Sequence, residues 1–309
     1  MKKISIVSGC YNEEENLPLL LTQLREVIAK HPEYDFEIIV IDNASTDNSA
    51  GILRKEAAGD SRLKVILNSR NFGHIRSPYY ALLQASGDAV IYLASDLQDP
   101  PEIISAFLEK WENGFKAVVA VKSQSEETPL FFFVRRCYYR LINHLAEIDT
   151  IQNFTGFGLY DRQIIDVCRN TGDRYPYFRG LISEIGLPVA RIPYSQPLRK
   201  RGITKNNFYT LYDIAMLGIT NHSKVPLRLA TMLGFAVSFV SFLLGLAYLV
   251  YKVLFWNQFS VGVAPLVIGL FFFGSVQLFF IGILGEYIGS IHTQVLNRPL
   301  VVEKERINF

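Results

Sequence analysis

Two long stretches without charge constrain this chain most. No side chain between Leu229 and Tyr251 is charged, and none is between Val253 and Gly285. A helix needs about 20 apolar residues to cross about 30 Å of hydrocarbon. Residues 229–250 and 263–285 each meet that length, and Lys252 with Trp256-Asn257-Gln258 marks a break between them. A pair of buried core helices is the rival reading, but such helices usually keep a polar edge. The expectation is a two-helix transmembrane hairpin. Two spans leave both flanks on one side. Lys224, Arg228, Arg298, Lys304 and Arg306 flank the pair, against Lys252 alone between them. The positive-inside bias then expects a multi-pass protein of an inner (cytoplasmic) membrane, with its large N-terminal region in the cytoplasm. Lys2-Lys3 and the short apolar run after it stop at Tyr11-Asn12-Glu13, too soon for a signal peptide. Three cysteines (Cys10, Cys137, Cys168) make no disulfide scaffold and fit a reducing compartment.

The remainder reads as a folded domain. The chain is 50% hydrophobic and 19% charged, which excludes disorder, and a net charge of +2 gives no basic footprint for nucleic acid. Runs at 4–8, 36–41, 63–67, 89–93 and 117–121 have strand character. Between them, 14–30, 47–58, 77–85 and 101–113 read as helices, the first carrying Leu17, Leu20, Leu21, Leu24, Val27 and Ile28 at helical spacing. Strict alternation predicts an α/β fold with a mostly parallel sheet covered on both faces. Ligands in such sheets bind beyond the carboxyl ends of the strands. There the sequence places Tyr11-Asn12-Glu13-Glu14, Asp42-Asn43-Ala44-Ser45-Thr46-Asp47, Asn68-Ser69-Arg70-Asn71 and Ser95-Asp96-Leu97-Gln98-Asp99. No G-x-G-x-x-G and no P-loop motif occurs.

Several clusters admit two readings. Asp96 and Gln98 offer hard oxygen ligands suited to Mg²⁺ or Mn²⁺ on a diphosphate, or Asp96 caps the helix opened by Pro100-Pro101. Arg199, Lys200, Arg201 and Lys205 either hold polyanions or form a solvated basic loop. Residues 129–145 place Leu130, Phe133, Val134, Cys137, Leu141 and Ile142 near one helical face, with Arg135, Arg136 and Arg140 between. That suits an interfacial helix or ordinary packing on the domain, and 208–219 suggests a second interfacial helix. The expected organisation is a catalytic domain at 1–205, juxtamembrane amphipathic helices at 206–228, two spans within 229–290 and a cytoplasmic tail at 291–309.

The ordered set of motifs resembles the polyprenyl-phosphate glycosyltransferases, membrane-attached GT-A enzymes of glycosyltransferase family 2. This group includes the bactoprenol glucosyltransferases and dolichol-phosphate mannose synthases. The matching stretches are the first, second and fourth loops above, together with Arg70-Asn71-Phe72-Gly73-His74, Tyr139-Arg140-Leu141-Ile142-Asn143, Phe178-Arg179-Gly180-Leu181, Gly202-Ile203-Thr204-Lys205 and Gly285-Glu286-Tyr287-Ile288-Gly289. The resemblance implies transfer of a sugar from a nucleotide sugar, UDP-glucose as the best expectation, to polyprenyl (undecaprenyl) phosphate with inversion. GDP-mannose is the alternative donor, and a non-catalytic nucleotide-sugar binder the alternative class. Carried over, Tyr11, Asn12, Glu13, Asp42, Asn43 and Asp96 would bind the nucleotide sugar, and Asp96 with Gln98 would hold Mg²⁺ or Mn²⁺. Arg199 and Lys205 would meet the acceptor phosphate or leaving diphosphate, with Arg136, Arg140 and Arg201 toward the acceptor and membrane. Asp161 is a candidate base, or it pairs with Arg162 and opens a helix.

Four departures bear on these implications. Ala94 replaces the first acid of the usual Asp-x-Asp, Asn43 the second acid of an Asp-Asp pair, and Gly9 a proline; Gly156-Phe157-Gly158 replaces Asp-Phe-Arg. A missing base is tolerable, because a phosphate monoester with a second pKa of about 6 is largely dianionic at neutral pH. A processive polysaccharide synthase would carry Q-x-x-R-W, which neither Trp111 nor Trp256 completes, and a transporter would not need the four polar loops. Glycines at 234, 245, 269, 274, 282, 285 and 289 allow close helix contact and so a homo-oligomer.

Overall fold

The computed structural model describes residues 1–124, 151–197, 212–213, 216–220, 223–255 and 263–309. The first half alternates as expected: β1 (Lys2–Cys10), α1 (Leu17–Ala29), β2 (Tyr34–Asp42), α2 (Ser49–Gly59), β3 (Leu63–Asn68), α3 (Gly73–Gln84), β4 (Ala89–Ala94), α4 (Ile104–Glu112) and β5 (Ala117–Gln124). Then come β6 (Phe154–Asp161), α5 (Arg162–Thr171), α6 (Phe178–Ile185) and β7 (Val189–Ser195). The two long helices α7 (Val225–Leu254) and α8 (Val263–Val295) follow, and a strand β8 (Glu303–Ile307) comes after them.

The strands form one sheet in the order β7-β5-β6-β4-β1-β2-β3-β8. β4, β1, β2 and β3 are parallel neighbours, as are β5 and β7. The sheet is thus mostly parallel, but strict alternation breaks at two strands. β6 is inserted antiparallel between β4 and β5, and β8 lies antiparallel on β3. The insertion depends on Gly158, where an added Cβ would lie 2.5 Å from the Val118 carbonyl oxygen. A glycine in a strand marks such a close backbone approach.

Side-chain alternation along the strands builds two cores. Ile4, Ile6, Ile38 and Val40 pack toward α1, α2 and α4, whereas Val7, Ile39 and Ile41 pack toward α3, α5 and α6. α3 starts four residues before the expected Ser77, so Pro78 stands inside it. Proline lacks the N–H that would bond the carbonyl one turn back, but its ring has a use here. A Cβ on Gly9 of β1 would meet Pro78 Cγ at 3.0 Å, so a proline ring from α3 fills the space beside the residue that departs from the family pattern.

α7 has 30 residues and α8 has 33. At about 1.5 Å per residue both exceed the hydrocarbon thickness. Their large apolar side chains face outward; Phe235 is 73% and Leu270 72% exposed. The pair fits a transmembrane hairpin. Around its seven glycines no atom lies within 4 Å of an added Cβ, so these glycines do not mediate contact between α7 and α8.

Beyond the hairpin the chain is not a free tail. Leu300 and Val301 are buried, and the Val302 carbonyl accepts the Ser69 N–H at 2.9 Å. β8 then pairs with β3 from Val65↔Ile307 to Asn68↔Glu303. Asn308 Nδ2 donates to the carbonyls of Ala57 (2.8 Å) and Leu63 (2.9 Å). The expected boundary at 291 therefore cuts a continuous helix, and 303–307 belong to the catalytic sheet.

Candidate active site

The carboxyl ends of β1, β2, β3 and β4 lie along one edge: Cys10 pairs with Asp42, Asp42 with Leu67, and Gly9 with Ala94. The loops that leave this edge are tied to one another. Asn12, at φ 57°, donates its N–H to Ser45 Oγ (2.8 Å), and its Oδ1 accepts the Thr46 N–H (2.7 Å). Glu13 donates its N–H to Ser49 Oγ (3.0 Å), and its carboxylate accepts Asn16 Nδ2 (2.6 Å). Asp42 is 2% exposed and accepts both the hydroxyl and the N–H of Ser45. Burial pushes its carboxyl above the usual range despite those bonds.

Asn43 ties the second loop to the third. Its Nδ2 donates to Asn71 Oδ1 (2.9 Å) and the Gly73 carbonyl (3.2 Å), while its Oδ1 accepts Asn68 Nδ2 (3.1 Å) and the Phe72 N–H (2.9 Å). An aspartate there would have no donor for Asn71 and Gly73, so this departure from an Asp-Asp pair serves the loop contact.

These loops enclose an open cavity of about 390 Å³. Its walls include Cys10, Tyr11, Glu13 and Asn43 at one end, and Tyr92, Ser95 and Asp96 on the β4 side, with His74 and Pro78 from α3. The size suits a small-molecule ligand, and the polar groups converge on it. Ser95 Oγ donates to the Gly9 carbonyl (2.8 Å), which anchors the Asp96 loop to β1. Leu97 takes φ 62°, and Asp96 Oδ1 accepts the Gln98 N–H at 3.2 Å. Asp99 is buried; it accepts the Ala94 N–H (2.9 Å) and the Tyr194 hydroxyl (3.1 Å). Burial, with Asp96 nearby, pushes its carboxyl up to about 6.

The donor set can be weighed against a divalent ion. Among the described residues no cluster of three or more His, Cys, Asp or Glu side chains is placed to hold a metal. Asp96 stands in the cavity wall, but Gln98 is not among the wall residues. One carboxylate on an open wall fits Mg²⁺ or Mn²⁺, ions that keep waters and take substrate phosphates as ligands. It does not fit an all-protein cage.

Tyr11, Glu13, Asn43 and Asp96 thus come together at the cavity, and Asn12 and Asp42 brace its loops. Asp161 does not join them. β6 runs antiparallel to β4 and pairs Asp161 with Ala89, at the opposite edge of the sheet. There its carboxylate accepts Trp111 Nε1 (2.8 Å), Lys116 Nζ (3.2 Å) and the Gln163 N–H (3.1 Å), capping α5. Arg136, Arg140, Arg199, Arg201 and Lys205, with the helix expected at 129–145, lie outside the described residues. Tyr92 escaped the sequence reading, although a tyrosine in the otherwise apolar run Ala89-Val90-Ile91-Tyr92-Leu93-Ala94 was a signal. Asp99 and His74 stood inside matching motifs without an assigned role.

Comparisons with known proteins bear on this geometry. Residues 5–169 match Glycosyl transferase family 2, and residues 225–291 match the GtrB C-terminal hairpin. A relative named SfII prophage-derived bactoprenol glucosyl transferase, from Shigella flexneri, is 34% identical over 304 residues, 98% of each chain. The prophage bactoprenol glucosyl transferase homolog of Escherichia coli (strain K12) is 32% identical over 98% of each. The solved mannosyltransferase PcManGT from Pyrobaculum calidifontis, in complex with GDP-Man and Mn²⁺, aligns at 18% identity and a TM-score of 0.47, over 96% of this chain and 88% of its own. An α/β sheet with a polar cavity at its carboxyl edge, full-length likeness above 30% and a matched C-terminal hairpin lead to one conclusion: the chain belongs to glycosyl transferase family 2 and is a glycosyltransferase of its GT-A type.

Proposed function

We propose that the chain moves a sugar from a UDP-linked donor, best read as UDP-glucose, onto polyprenyl (undecaprenyl) phosphate at the cytoplasmic face of a membrane. The observation that carries this reading is the Asp96-walled cavity in a chain that also bears an apolar hairpin. The names of the full-length relatives support the lipid acceptor and glucose. Tyr11, Glu13 and Asn43 bind the nucleoside, with Asn12 and Asp42 setting their loops, and the diphosphate extends toward Asp96.

A Mg²⁺ or Mn²⁺ held by Asp96, with Gln98 beside it, neutralises charge on the diphosphate when bound. The acceptor phosphate is dianionic near neutral pH and needs no protein base, which agrees with Asp161 standing at the far edge. A phosphoryl oxygen forms the bond to the anomeric carbon as the bond to UDP breaks, inverting that carbon. Arg199 and Lys205 meet the leaving diphosphate or the acceptor phosphate, and Arg136, Arg140 and Arg201 face the acceptor and the headgroups. The unused glycines of α7 and α8 leave a surface for a second copy.

The test is reconstitution in liposomes with undecaprenyl phosphate and a panel of radiolabelled nucleotide sugars. Label should enter lipid from UDP-glucose only with a divalent ion, and Asp96→Ala should lower turnover roughly 100-fold or more. No lipid product from any donor would refute the reading. Added protease should spare residues 1–220 in right-side-out vesicles; cleavage there would reverse the orientation.

A further inference from the structure

Next to the large cavity, and sharing His74, Pro78 and Tyr92 with it, lies a second chamber of about 130 Å³. Its other walls include Gly156, Tyr177, Phe178 and Arg179. It is too small for a nucleotide, whose pockets are about 300 Å³ or larger. Arg179 Nη1 donates to the Phe154 carbonyl (3.3 Å), and the guanidinium lies 5.5 Å from the Tyr177 ring centre. Among the described residues it has no carboxylate partner. His74 supplies no second positive charge: desolvation, and then Arg179 itself, hold its pKa below the ordinary value.

Strand β6 cannot provide the cation. At Gly158 a Cβ would meet the Val118 carbonyl at 2.5 Å, and at Gly156, with φ +107°, it would meet the Tyr92 ring at 3.6 Å. The arginine expected on this strand is excluded by backbone contact, and α6 brings a different one to the chamber. The segment leading into α6 is tied to the cytoplasm-facing end of the hairpin. Asp173 Oδ1 accepts Gln294 Nε2 (2.6 Å), and Arg174 Nε donates to Asn297 Oδ1 (2.5 Å). The chamber thus lies along the chain path from the lipid-facing helix to the large cavity.

The geometry points to this chamber as the subsite for the phosphate of an isoprenyl phosphate, with Arg179 as the residue that binds it. This rests on the acceptor reading given above. A phosphate there sits across Tyr92 from the donor's diphosphate end. The guanidinium offers charge-assisted, bidentate bonds that a lysine point charge reproduces only in part.

The test titrates farnesyl phosphate, farnesol and UDP separately into the full chain in detergent, comparing wild type with Arg179→Ala and Arg179→Lys. Farnesyl phosphate affinity should fall roughly 10- to 100-fold in Arg179→Ala, the worth of a bond to a charged group, and recover in part in Arg179→Lys. Farnesol and UDP affinities should not change, and unchanged UDP binding also reports an intact fold. Where Arg179→Ala does not accumulate, Arg179→Gln, which keeps a donor for the Phe154 carbonyl, replaces it. Farnesyl phosphate binding that is absent in wild type or unchanged in the variants overturns the proposal. A parallel loss of UDP overturns it too, assigning Arg179 to the donor diphosphate. Arg179-dependent binding in a wild type that transfers no sugar would sink the reaction while leaving the subsite; transfer with an Arg179-independent acceptor KM would do the reverse.

Discussion

Glu37 shows how one residue can hold a sheet to its connections. It is 2% exposed on β2, between Ser5 Oγ (2.5 Å) and Lys64 Nζ (2.8 Å), with Lys3 Nζ at 3.0 Å and the Ser86 N–H at 2.8 Å. Desolvation alone would raise its pKa, but these donors outweigh it and hold the carboxyl at about 2, against an ordinary 4.5. A depressed carboxylate stabilises the fold fully above its unfolded pKa, and that contribution is lost as pH falls through the folded one. Glu37→Gln should therefore cost about 3 kcal/mol near neutral pH, at about 1.4 kcal/mol per pKa unit. The gap from wild type should close between pH 4.5 and 2. Unfolding by denaturant at stepped pH checks both the size and the window. The polar loops were legible in the sequence because four strand ends all carried Asp, Asn or Ser. Asp161 was not, because nothing in its neighbourhood tells which end of the sheet it reaches. That depends on β6 running against β4, a choice made by its partners.

At the scale of elements, the parallel half of the sheet could be read from period-two strands alternating with helical spacing. β6 could not, since a strand's own pattern does not name its neighbours. Its glycines report the close contact only once β5 is known to lie beside them. Gly158→Ala should cost about 2–3 kcal/mol, because a methyl 2.5 Å from a backbone oxygen forces the strands apart. A thermal melt in detergent measures this, and a wild-type midpoint would show that β5 yields. Gly9 and Pro78 form a gentler pair. At 3.0 Å the proline ring must shift by tenths of an ångström, so Gly9→Ala should cost about 1 kcal/mol and disturb UDP affinity more than stability, Gly9 and Pro78 both being cavity walls. Nucleotide titration beside the melt separates the two.

For the whole molecule, the decisive connection is β8. The Arg54–Glu305 ion pair at 2.7 Å is exposed on both sides and contributes about 0–1 kcal/mol. Burial of Leu300 and Val301, at about 1.5–3 kcal/mol each, and the ladder to β3 matter more. The Val302 carbonyl also holds Ser69, just before the Asn71 loop at the cavity. Ending the chain at Pro299 should leave the hairpin in the bilayer, lower the melting midpoint by several degrees (about 4–8 °C per kcal/mol in a small domain) and weaken UDP binding. An unaltered midpoint would make β8 ornamental. The ribosome finishes β8 only after both spans have emerged. Until then β3 presents a bare row of backbone donors and acceptors, the kind of edge that recruits foreign strands. The sugar-handling domain is thus completed after the hairpin has been made, and a chain whose hairpin stalls during insertion is left with a sticky, unfinished sheet.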